Sequence, residues 1–121
     1  DFEEYARITL EKVKHGEGKI FLAEEGGTVI GLVAGIVDVL SGIDAVECFP
    51  RRYGKVLELY VEESYRSIGA GRLLMEQMEE YLKSVGCTAV VLECFAPNLS
   101  AYAFYKKMGY ENRVFNMIKS I

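Results

Sequence analysis

Between Val56 and Leu82 an apolar, strand-like run passes through the seven residues "RSIGAGR" and opens directly onto a helical pattern. These residue types at this spacing suit an anion. The N–H groups of Ile68 to Arg72 stand at a helix start, where no carbonyl four residues back accepts them, and they carry the positive end of the helix dipole. Gly69 and Gly71 remove the Cβ atoms that would hold an oxyanion away. Arg66 and Arg72 bracket the turn with cations. A diphosphate suits such donors. Two widespread phosphate signatures are incomplete, however. The G-x-G-x-x-G dinucleotide pattern requires glycine where Leu74 stands, and the Walker loop requires Lys then Ser or Thr where Arg72-Leu73 stand. The plain alternative is a tight strand-to-helix turn that holds nothing.

The elements that position this turn follow from periodicity. Phe2, Tyr5, Ala6, Ile8, Leu10 and Val13 predict an amphipathic helix ending near His15-Gly16. "KIFLAEE" and "TVIGLVAGIVDV" read as strands joined at Gly26-Gly27, a hairpin signal. On the second run Val29, Gly31, Val33, Gly35 and Val37 share a face. The two glycines there leave room for another backbone or a ligand, or mark a slight bend. Asp38 to Gly54 is a long irregular segment, of a length that is often functional.

A strand over Lys55 to Glu62 leads into the turn, and the helix after it carries Leu74, Met78, Tyr81, Leu82 and Val85 on one stripe. Gly86 is its natural stop. "AVVLECF" reads as a strand buried on both faces. Asn98 is placed to cap a helix over "LSAYAFYKKM" that Gly109 ends, and "RVFNMIKSI" reads as a last short strand. The sequence predicts an α/β class: one domain over residues 1–121, with helices packed on a mixed, partly parallel sheet.

Composition narrows the function. Half of the 121 residues are hydrophobic and 26% are charged, a normal globular balance. The net charge is −4, and it falls in the first half: residues 1–54 carry 6 basic and 10 acidic groups, whereas residues 55–121 carry 8 of each. An acidic half argues for a cationic partner and against nucleic acid. Cys48, Cys87 and Cys94 are an odd number without a CxxC pair, which reads as reduced thiols in a cytoplasm, with no zinc or other metal site. No apolar run approaches the roughly 18 residues of a membrane span. The chain has no initiator Met and no signal-peptide pattern, which suggests a trimmed product or part of a longer gene.

Two motifs resemble one family. "RSIGAG" fits the Arg/Gln-x-x-Gly-x-Gly/Ala loop of the GNAT superfamily of N-acetyltransferases. "NLSAYAFYKKMGY" fits its Asn-x-x-Ala-x-x-Phe-Tyr-x-x-x-Gly-Phe/Tyr helix, in the right order and beyond an intervening strand. The resemblance covers Lys55 to Tyr110 closely and the preceding helix and hairpin more loosely. It implies a GNAT-like fold apparently lacking the family's N-terminal helix and strand, with a short tail after Tyr110 and a possible homodimer that completes the site. Ser67 stands where glycine is frequent and Glu63 where proline is common. The resemblance also implies that Arg66, Ser67, Ile68, Gly69, Ala70, Gly71 and Arg72 hold the pyrophosphate of acetyl-CoA. The pantetheine arm would then lie between Leu59, Tyr60 and Val61 on one side and Asn98, Ser100 and Tyr105 on the other.

Acetyl transfer from the thioester to an amine needs a base, an oxyanion donor and an acid. A lysine-like amine has a pKa near ~10.4 and must lose a proton. Glu58, on the opposite face of its strand from Leu57 and Leu59, is the candidate base, directly or through water; its other reading is an ion pair to a neighbouring strand. By the resemblance, a backbone N–H near Tyr60 or Val61 serves the oxyanion. Tyr105, a phenol with a pKa near ~10, is the candidate acid for the thiolate; its other reading is core packing. Asp38, Asp44 and Glu47 are either acceptor-binding or simply solvated. The expected function is N-acetyl transfer by direct attack on the thioester, to a small-molecule or protein amine. A non-catalytic acyl-CoA-binding module and a dimerising structural fragment are the rivals.

Overall fold

The structure, a computed structural model, describes residues 2–39 and 52–121. Asp44, Glu47, Cys48 and most of the segment expected to be irregular lie outside the described residues. Four strands form one sheet in the order β1-β2-β3-β4. Strands β1 (Lys19–Glu25) and β2 (Thr28–Val39) run antiparallel about Gly26 and Gly27, whose φ values are 56° and 84°. Consecutive positive φ is what a tight hairpin turn of this hand requires, and glycine adopts it without strain. Strand β3 (Arg52–Val61) is antiparallel to β2, and β4 (Val90–Val91) is parallel to β3. The parallel return needs a crossover, which α2 (Ala70–Ser84) supplies. The expected mixed sheet is therefore present.

Helix α2 covers one face of the sheet. Leu74, Met75, Met78 and Leu82 pack with Val33, Val37, Val56 and Cys87 in a single buried cluster. Burying each long side chain there contributes roughly 2–3 kcal/mol. Met75, outside the predicted stripe, is fully buried, because β1 and β2 extend under that flank of the helix. The glycines of β2 find their use here too. A Cβ on Gly35 would lie 2.7 Å from Met78 Sδ, and one on Gly31 only 2.7 Å from the Tyr60 carbonyl oxygen. The room they leave is filled by the protein's own helix and strand.

Because Gly35 faces α2, Ala34 and Ile36 face the other way, and α1 (Phe2–His15) lies on that side: Gly16, which follows the helix, abuts Ile36. Asn98 caps α3 (Leu99–Lys107), its side chain accepting from Ala101 N at 3.1 Å, and Gly109, with φ 99°, follows the end of the helix.

Two expected strands differ. Of "AVVLECF" only Val90 and Val91 pair, opposite Gly54 and Lys55. The β2–β3 register slips between Ala34 and Gly35, so Leu57 is an extra residue on β3. Such a bulge bends a strand, and here the bend falls just past the last β4 pair. "RVFNMIKSI" forms no strand, and Val114, Phe115, Met117 and Ile118 are exposed. A two-residue β4 offers no ladder for it to join.

Candidate active site

Past Lys55 the pairing between β3 and β4 ends, which leaves that edge of β3 without a ladder partner among the described residues. The N–H of Glu62 donates to Ile30 O at 2.7 Å, so Glu62 points its backbone at β2. Two-residue alternation then turns the N–H of Tyr60 toward β2 and those of Leu59 and Val61 toward the gap. One acceptor on that edge is already taken: Arg66 Nε donates to Val61 O at 2.8 Å. The guanidinium also sits 5.9 Å from the centre of the Tyr60 ring. Arg66 thus fastens the turn to the strand end.

The turn itself begins with a single 3-10 turn, Glu63–Tyr65. Ser67 has φ 69° and Gly69 φ 95°, a tight reversal that feeds α2. The first helical bond is Leu73 N to Gly69 O at 3.0 Å. Among the described residues, the N–H groups of Ser67, Ile68, Gly69, Ala70, Gly71 and Arg72 donate to no backbone oxygen. A Cβ on Gly69 would meet nothing within 4 Å, and one on Gly71 would make only ordinary contacts, with the Phe104 ring at 3.5 Å and Val61 Cγ2 at 3.9 Å. Ile68 and Arg72 are exposed, and Arg72 lies 3.7 Å from Glu76 along the helix. This cluster of donors can cradle an anion, since among the described residues no backbone oxygen accepts from it.

Helix α3 forms the other wall. Phe104 touches the cradle at Gly71, and Tyr105 follows it in the chain. Tyr105 is half-buried, with ring centres 5.2 Å from Phe104 and 5.8 Å from Tyr110. Burial raises its phenol above the ordinary tyrosine value, and Cys94 and Glu58 raise it further. It is a neutral donor at pH 7. Its hydroxyl makes no hydrogen bond among the described residues, whereas the neighbouring Tyr110 hydroxyl donates to Glu79 at 2.6 Å. Asn98 spends its side-chain oxygen on the α3 cap, and Ser100 is exposed on the first turn.

Glu58 lies next to the bulge, opposite Ala34 and therefore on the α1 face. No ion pair to a neighbouring strand forms among the described residues; its partner is the Tyr5 hydroxyl, which donates to Oε2. Spacing alone put Tyr5 on the apolar stripe of α1 and did not connect it to the site. Cys94 was likewise missed: its Sγ lies 3.9 Å from Phe95 O and 4.0 Å from Asn98 O, near Tyr105. Asp38, a candidate acceptor-binding acid, instead caps Val39 N at 2.8 Å and accepts from Tyr53 at 3.1 Å. Among the described residues no group of three His, Cys, Asp or Glu side chains is placed to hold a metal ion. The arrangement sets an anion cradle at the end of the β3 edge that β4 leaves, with the Glu58 carboxylate on that strand and the Tyr105 phenol on α3.

Residues 1–110 match the acetyltransferase (GNAT) family model, and the chain belongs to that family. It is similar to an N-alpha-acetyltransferase of Sulfurisphaera tokodaii, 30% identical over 105 residues, covering 84% of this chain and 62% of that protein. A putative acetyl transferase from Pyrococcus furiosus shares the fold with a TM-score of 0.79 at 23% identity, over 98% of this chain and 76% of that one. An aminoglycoside N-acetyltransferase in complex with CoA does so at 0.72 and 18% identity, over 98% and 92%. The chain spans 42% to 63% of the length of several curated relatives that it matches.

Proposed function

We propose that the protein transfers the acetyl group of acetyl-CoA to a primary amine by direct attack on the thioester. The observation that carries this reading is two sets of backbone N–H groups that meet no backbone oxygen among the described residues, those of Ser67–Arg72 and, on the edge of β3 that β4 leaves, those of Leu59 and Val61. Tyr105 is near enough for the Glu58 charge to raise its phenol. Gly71 adds weight. Glycine in a helix costs roughly 1 kcal/mol relative to alanine, and no protein neighbour demands it here, so the space suits a ligand.

In this reading the Ser67–Arg72 N–H groups hold the pyrophosphate, and Leu59 and Val61 pair with the pantetheine arm, opposite Ser100 and Tyr105. Tyr60 contributes its ring as the seat of Arg66, since its N–H turns toward β2. Acetyl-CoA supplies an activated acyl group, a thioester. Glu58 takes the proton of the incoming amine, directly or through one water. The Leu59 N–H, farther along β3 from the cradle than Val61, donates to the acetyl oxygen as charge develops there, while the Leu59 carbonyl and the Val61 N–H serve the arm. Tyr105 gives its proton to the departing sulfur and regains one from solvent.

The acceptor is a cationic amine. Glu58 and the acidic first half attract it, and the similar proteins are named for acting on α-amines and aminoglycosides, both cationic at neutral pH. Free Cys87 and Cys94 suit the reducing cytoplasm. The test is release of free CoA from acetyl-CoA with spermidine, kanamycin and a peptide with a free N-terminus. Release that depends on the amine supports the reading. Acetyl-CoA binding without release with any amine would replace it with a binding module, and acetylation confined to uncharged or acidic amines would overturn the cationic acceptor.

A further inference from the structure

The Tyr5–Glu58 hydrogen bond ties the helix on one face of the sheet to the candidate base on β3. Among the described residues Glu58 Oε1 accepts no hydrogen bond, so the two oxygens of the carboxylate are unequal. We infer that Tyr5 is a positioning residue: it holds Oε2 of Glu58 and so leaves Oε1 as the atom that takes the proton of the amine. This rests on the acetyltransferase reading above.

A glutamate side chain on a strand has three rotatable bonds, and a charge-assisted bond to one oxygen removes most of that freedom. The donor is durable. The Tyr5 phenol is raised above its ordinary value, first by its bond to Glu58, then by burial and the Glu58 charge, with Thr9 opposing. It therefore keeps its proton through neutral pH. Among the described residues helix α1 brings Tyr5, with Thr9 against it, to the carboxylate, β2 places Ala34 across the ladder, and Tyr105 of α3 feels the Glu58 charge. Tyr5 and Tyr105 are neutral phenols near pH 7, and Thr9 and Ala34 do not titrate. Among the described residues Tyr5 is the one that donates to a Glu58 oxygen.

Tyr5→Phe keeps the ring and removes the bond, so Oε2 is released and the carboxylate turns freely about its side-chain torsions. The expected result is kcat lowered about tenfold, with KM for acetyl-CoA and for the amine within about twofold and the melting temperature little changed. Replacing Tyr5 with 3-fluorotyrosine, which restores the donor in nearly the same shape, returns kcat to the wild-type value.

The assay uses whichever of spermidine, kanamycin or the free peptide the wild type acetylates. An active wild type whose kcat is unchanged in Tyr5→Phe, or a loss in Tyr5→Phe that 3-fluorotyrosine fails to restore, overturns the positioning role alone. A wild type that acetylates none of the three overturns the underlying reading and this role with it.

Discussion

Helix α2 meets glycines at both of its ends, and they serve opposite purposes. Toward its C-terminus Met78 and Leu82 are driven against Gly35 and Gly54, where an added Cβ would lie 2.7 Å from Met78 Sδ and 2.3 Å from Leu82 Cδ1. At its N-terminus an added Cβ would meet nothing within 4 Å at Gly69 and only ordinary contacts, with Phe104 and Val61, at Gly71. In the first region the absent side chains are replaced by side chains of the protein, and the result is core. In the second an added Cβ would displace nothing among the described residues, and the N–H groups there donate to no backbone oxygen among them. Strand β3 repeats the division, paired on both edges at Gly54 and Lys55 and on one edge only beyond Leu57. One helix and one strand thus belong half to the core and half to a site.

Exchanging the two kinds of glycine breaks the comparison most sharply. Gly71→Asp puts bulk and negative charge into the cradle, and CoA and acetyl-CoA affinity should both fall by roughly 10³-fold or more. The melting temperature should move little, since Phe104 and Val61 lie at ordinary contact distance. Calorimetric titration beside a thermal melt reads both. Binding as tight as wild type removes the cradle from the site. Gly54→Val should do the reverse. Leu82 is fully buried and has nowhere to go, so overpacking costs about 3 kcal/mol, seen as a fall in melting temperature of roughly 10 °C. The folded fraction should still bind CoA. An unchanged melt would mean that the helix yields there.

Much of this was legible in the sequence, for reasons that differ by residue. Gly26-Gly27 between β-branched runs fixed the hairpin, and the strands run over the residues expected, 19–25 and 28–39. The loop and the α3 signature carried the family, because turn chemistry and helix caps are local. What failed was not local. A bulge at Leu57 adds one residue to an apolar strand and changes no composition, yet it decides where the sheet opens. "AVVLECF" has the pattern of a strand, but its pairing depends on where β3 bends. Tyr5 and Glu58 are 53 residues apart, and only the seating of α1 on the sheet brings them together. The β2 glycines signalled space without saying what fills it.

Tyr105 tests whether the open region is catalytic or only a binding surface. Tyr105→Phe keeps the ring contacts with Phe104 and Tyr110 and removes the one proton the side chain can give. CoA affinity should change less than about twofold, because backbone donors carry it. Turnover should fall by about 10²-fold, the lower end for a positioned acid, since a thiolate of pKa near ~8.5 leaves tolerably unaided. The readout is kcat for CoA release under conditions where chemistry limits the rate. A folded variant with unchanged kcat returns Tyr105 to the packing of α3.

The smallest expected effect belongs to Ser67, the one cradle residue that is strained. Its φ of 69° lies in the left-handed region, where a Cβ crowds the neighbouring carbonyl. Glycine relieves that contact but gives the unfolded chain more freedom, so the two terms partly cancel. Ser67→Gly should therefore stabilise the protein by only about 0.5–1 kcal/mol, a rise in melting temperature of roughly 2–4 °C. The same variant separates backbone from side chain in the cradle. The Ser67 hydroxyl makes no hydrogen bond among the described residues, so it has no structural duty to lose. If the N–H group is what meets the pyrophosphate, CoA affinity should stay within about twofold, because glycine keeps that donor and the same turn. A drop of tenfold with the melting temperature raised would mean that the hydroxyl itself binds, and that the strain at Ser67 is retained for a side-chain contact with the ligand.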